Sequence, residues 1–83
     1  MSHVPHELSE EFPLNTADLQ ELRQGNAHAA RLMDEYHEVN RTLHRVETNI
    51  EPMSDQEALR LRKTRITLKD ELARILREHA AAH

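Results

Sequence analysis

The sequence predicts an all-α protein: an antiparallel, coiled-coil-like helical hairpin behind a short N-terminal helical lead-in, associating into a larger helical bundle. Three observations predict it. Ala, Glu, Lys, Leu and Arg supply 42 of the 83 residues, the mixture found in long helices and coiled coils. Apolar residues recur at alternating steps of four and three. The chain has one glycine, three prolines and no cysteine. It therefore lacks the turn residues and β-branched runs of a sandwich, a barrel or a doubly wound sheet. The absence of cysteine also removes disulfides and thiolate zinc sites.

Residues 1–15 read as a lead-in bracketed by Pro5 and Pro13. Leu8 and Phe12 stand four apart, so one helical turn puts both on one face and docks the segment. Residues 16–83 read as the hairpin. Its first helix covers about 16–50, its second about 55–79. Asn15 is placed as a cap, with Asp18 three residues on and Leu14 and Leu19 as a hydrophobic staple across it.

From residue 22 the seam runs Leu22, Ala29, Leu32, Tyr36, Val39, Leu43, Val46 and Ile50, with Gly25 its one non-apolar position. A strict seven-residue repeat implies a left-handed supercoil. Gly25-Asn26 predicts a kink or break, with the main helix then running about 27–50, because glycine suits the left-handed residue after a helix end and asparagine caps the next start. Glu51-Pro52-Met53 forms the loop, where Pro52 disfavours helical geometry in the residue before it. Ser54-Asp55-Gln56-Glu57 then reads as a capping box whose acids suit the positive helix end.

The second helix carries two apolar stripes. At about 100° per residue, Leu61, Leu68, Leu72 and Ile75 cluster on one side, and Leu59, Ile66, Ala73 and Ala80 on another, about 140° away. Arg62, Arg65 and Lys69 lie between them, with Leu76 near their edge. One partner helix covers a stripe of about 100°, so the first helix buries one stripe and hardly both. Long Arg and Lys stems can cover some of the remainder. The spare stripe points instead to a second chain, most simply as a homo-oligomer, a dimer first, or to a protein partner. Leu8, Phe12, Leu59, Ile66 and Ala73 are the candidate interface.

The formal net charge of −4 hides an asymmetry. Residues 1–57 hold 12 acids and 4 bases, whereas residues 58–83 hold 7 bases and 3 acids. Oppositely charged halves attract within or between chains. Arg60, Arg62, Lys63, Arg65 and Lys69 make a basic surface that could contact an anion or a nucleic acid. It lacks interleaved aromatics and sits on an acidic chain, which argues against nucleic acid. The bases pair more naturally with acids such as Glu35, Glu38 and Glu47.

Catalytic constellations are missing. One glycine builds no phosphate-cradling loop or nucleophile elbow, and the serines are terminal or capping residues. The seven histidines read as solvated. Asp34 and His37 have the three-residue spacing of bundle metal sites, but no second carboxylate–histidine pair occurs on the second helix. His3 with His6, and His79 with His83, sit near the chain ends. No catalytic residue, cofactor or metal site is assigned. No apolar run approaches the roughly 18 residues of a membrane span. The start lacks a basic cluster leading into an apolar run, so the expected location is cytoplasmic.

His6-Glu7-Leu8-Ser9-Glu10-Glu11-Phe12-Pro13 resembles the opening of the YdcH-like family of small bacterial proteins. Tyr36-His37-Glu38-Val39-Asn40, Arg45-Val46-Glu47 and the stretch from Arg65 to Leu72 resemble its later segments in order and spacing. The resemblance covers about residues 6–76. It implies a short helical hairpin of coiled-coil character and carries over no catalytic or ligand residues, because the family's function is unknown. Members often have Asn-Pro-x-Phe where this chain has Asn26-Ala27-His28-Ala29. Ala29 thins the seam there, leaving Leu32 or Met33 to fill it. The expectation is a small non-enzymatic helical interaction protein, with anion or nucleic-acid binding as the alternative.

Overall fold

The computed structural model describes residues 7–48 and 52–82. Four α-helices pack together, and no strand occurs among the described residues. Helix α1 spans Leu8–Glu11 and is followed by a 3-10 turn, Pro13–Asn15; α2 spans Thr16–Gly25, α3 Ala27–Glu47 and α4 Asp55–Ala82. The 28 residues of α4, at about 1.5 Å each, account for the longest dimension of the molecule, 44 Å. Helix α4 thus continues past the expected end at 79, through the alanine run. Pro5, His3 and His6, the seam position Ile50, Glu51 of the loop and His83 lie outside the described residues.

Of the kink or break expected at 25–26, the structure has a break, made by Asn26 rather than by Gly25. Gly25 is the last residue of α2 and has no left-handed backbone. Asn26 is extended, φ −137° and ψ 104°, and its side-chain oxygen accepts the Ala29 N–H at 3.0 Å. That bond satisfies one of the backbone donors orphaned at the start of α3. Asn15 stands at the predicted cap position of α2 but makes no capping bond. Its amide donates instead to the Asp18 carboxylate at 3.3 Å. Leu19 is buried, while the Leu14 half of the proposed staple is outside the described side chains. At α4, Ser54 Oγ accepts the Glu57 N–H at 3.1 Å. The other half of the capping box is diverted, because the Glu57 carboxylate pairs with Arg60. The Arg60 guanidinium holds that carboxyl below its ordinary range.

Helices α3 and α4 lie side by side, and α2 packs on both. Glu47 meets Arg62 and Asn40 meets Arg65, so numbers rise along α4 as they fall along α3. One buried cluster joins Leu8, Leu19, Leu22, Ala29, Met33 and Tyr36 to Leu68, Leu72, Ile75 and Leu76. The inward stripe of α4 is therefore the one around Leu68 and Leu72, with Leu76 drawn in and Leu61 half-buried. On α3 the fully buried line is Ala29, Met33, Tyr36, Asn40 and Leu43. Leu32 and Val39, read from sequence as seam residues, are only partly buried against the cluster. The line shifts because α3 has two flanks to cover: α4 lies on one, α1 and α2 on the other. Met33 fills the space beside Ala29.

Candidate functional site

The outer face of α4 is the most distinctive surface of the chain. Among the described residues, Leu59 and Ile66 are the exposed large hydrophobics, at 51% and 59%. They stand seven residues apart, two turns along one line, and Ala73 and Ala80 continue it. On the far half, Phe12 and Asn15 line a shallow groove of about 230 Å³ together with Ala73, Leu76, Arg77 and Ala80, and Ala80 itself is exposed. Ala73 is half-buried and Phe12 is partly buried against the core. Leu8 departs from the expected interface. It is 4% exposed and belongs to the core. Its burial goes with the seating of α1, which makes polar contacts on both sides. Glu7 reaches His37 Nδ1 on α3 at 3.1 Å, and Glu11 reaches Lys69 Nζ on α4 at 2.9 Å.

The basic residues of α4 turn to partners within the chain. Arg60 pairs with Glu57, Arg62 lies 4.0 Å from Glu47, Arg65 donates to Asn40 Oδ1 at 3.1 Å, and Lys69 meets Glu11. Lys63 is exposed. Farther along, Arg74 pairs with both Glu71 and Glu78. Asn40 is the buried polar residue at the α3–α4 contact, 1% exposed. Burying an amide is tolerated when its hydrogen bonds are made, and the Arg65 donation makes one of them.

Asp34 and His37 do not act as a pair. Asp34 bonds Arg23 at 2.6 Å and His37 faces Glu7. These groups line an open groove of about 520 Å³ between α1, α2 and α3, whose lining mixes Thr16, Gln20 and Arg41 with the apolar Leu8, Leu19 and Met33. A different set comes together at the other flank. His79 Nε2 lies 3.2 Å from Glu21 Oε2 and 3.8 Å from Asp18 Oδ1. Asp18, Glu21 and His79 are the group among the described residues whose ligand atoms lie within 4.8 Å of one another. Sequence reading missed it. Asp18 and Glu21 share a face of α2 by their three-residue spacing, but only the packing of α4 on α2 brings in His79.

Fold and surface define a small all-α protein with a bare apolar line on its longest helix. None of its described helices is long and apolar enough to cross a membrane. The family described as "Protein of unknown function (DUF465)" matches residues 30–76, and the chain belongs to it. That family includes the YdcH-like small bacterial proteins. The match holds the Tyr36–Asn40, Arg45–Glu47 and Arg65–Leu72 segments, while the opening motif at 6–13 lies outside it. Neither the curated proteins nor the solved structures contain a match.

Proposed function

We propose that this chain is a non-enzymatic interaction protein that folds back as a helical hairpin and binds a second copy of itself through the outer line of α4. The observation that carries the reading is the exposure of Leu59 and Ile66, 51% and 59%, in line on one helix face. Scattered single hydrophobics are ordinary on a surface, but two residues on one stripe form a helix-packing edge. Burying them against a partner helix removes apolar area from water, at about 25 cal/mol per Å². Pairing of Arg60, Arg62, Arg65 and Lys69 within the chain favours this reading over binding of phosphate, since each phosphate contact would compete with an existing bond. A salt titration of duplex and single-stranded binding checks the alternative: a steep fall in affinity with salt marks several phosphate contacts, and the expected result is no binding at low salt. For self-association, Ile66→Asp is expected to lower the mass in solution while helicity survives.

A further inference from the structure

We propose that Asp18, Glu21 and His79 form a site for one divalent transition-metal cation of the zinc class, which clasps α4 to α2. The geometry is close to what such an ion requires. A tetrahedral zinc with nitrogen and oxygen ligands at about 2.0–2.2 Å holds its ligand atoms roughly 3.3–3.5 Å apart. His79 Nε2 is 3.2 Å from Glu21 Oε2 and 3.8 Å from Asp18 Oδ1, and all three ligand atoms lie within 4.8 Å of one another. Small side-chain rotations close the set, and Glu21, 60% exposed, is placed to make them.

The donor set selects the metal class. One imidazole nitrogen and two carboxylate oxygens suit zinc and its neighbours, whereas magnesium and calcium prefer oxygen alone. Two carboxylates balance the charge of the ion, and water completes the fourth position. The scaffold is already assembled. The His79 side chain is only 14% exposed, and Asp18 is held by the Asn15 amide at 3.3 Å. Asp18 and Glu21 share one face of α2, and His79 comes from another helix, so a cation here links elements 58 or more residues apart in sequence. Such a link stabilises the folded state over the unfolded one, in which the site does not exist, and a chain with no disulfide has few other ways to tie its elements together.

The test uses the full chain after chelator treatment and dialysis. Zn²⁺ is titrated by calorimetry, Co²⁺ by its visible absorption, and Mg²⁺ serves as the control. The expected result is one Zn²⁺ per chain, a rise in Tm with Zn²⁺ but not Mg²⁺, and a four-coordinate Co²⁺ spectrum. His79→Gln and Glu21→Gln should each weaken Zn²⁺ binding by more than about a hundredfold, beyond the loss of an outer-shell partner, while His28→Gln, elsewhere on the surface, leaves it unchanged. Glu21 is exposed, so circular dichroism of Glu21→Gln should match the parent chain and keep the comparison interpretable. Absence of a Zn²⁺-dependent rise in Tm, or binding unchanged in both Glu21→Gln and His79→Gln, overturns the proposal.

Discussion

The two ends of the molecule are built differently. At one end α1 and α2 lie over α3 and the second half of α4, and ten buried residues from all four helices form one cluster. At the other, among the described residues, α3 and the start of α4 face each other without a third helix. There Leu43 and Ala58 are buried outside that cluster, and Leu59 and Ile66 are exposed. On the same line of α4, Ala73 is half-buried beside a groove it shares with Phe12, whereas Leu59 and Ile66 are bare. A helix that is apolar on two sides needs two neighbours. Along the outer line of α4 this chain sets a second neighbour only beside Ala73, and the larger apolar side chains, Leu59 and Ile66, sit on the part it leaves open.

The largest expected effect breaks the layered end. Leu72 is fully buried, and Leu72→Asp should abolish the folded state, as should Leu68→Asp, because an unpaired charge in that cluster is very costly. Truncation sharpens the comparison. Leu72→Ala should cost about 2–5 kcal/mol in urea unfolding, and Leu43→Ala less, because a two-layer end collapses more readily around a cavity.

Asn40 lies where the two ends meet. Asn40→Ala should cost about 1–3 kcal/mol, since it removes the acceptor that Arg65 faces and leaves a partly buried donor unsatisfied. Equilibrium unfolding beside Arg65→Met, which removes the donor, measures how much of that cost is pairing.

Tyr36 reports on the layered end through pH. Its hydroxyl is pushed up to about 12, by burial first and then by the nearby Glu11 charge. A folded-state pKa above the unfolded value near 10 means that the neutral phenol is favoured by folding. The contribution is complete below about pH 10 and is lost as pH rises towards 12. Tyr36→Phe should remove that alkaline loss, and Tm measured between pH 9 and 12 checks it.

The smallest effects are at the break between α2 and α3. Asn26→Ala should destabilise by about 1 kcal/mol through loss of the cap. Gly25→Ala should stabilise by about 0.5–1 kcal/mol, because a Cβ there meets nothing within 4 Å. Paired thermal melts of the two variants separate the cap from the glycine.

Much of this architecture was legible from local signals. Ser54 capping α4, the break at Gly25–Asn26 and the two stripes of α4 all follow from residue type and spacing. What was not legible depends on how many neighbours a helix has. The seam read Leu32 and Val39 for one partner helix; packing on two flanks buries Met33 instead, and Asn40 is buried against α4, facing Arg65. Leu8 belongs to the core because α1 docks between α3 and α4, where Glu7 meets His37 and Glu11 meets Lys69, contacts no local pattern encodes. The Asp18, Glu21 and His79 group needs the docking of α2 on α4, and Asn15 prefers the Asp18 carboxylate to the backbone it was expected to cap.

The central claim is that a second copy covers the bare part of α4. Light scattering coupled to size exclusion, on the parent chain and on Ile66→Asp at tens of micromolar, tests it most directly. The account predicts a dimer or larger assembly for the parent and a helical monomer for the variant. A compact, well-folded monomer of the parent chain at that concentration would contradict it.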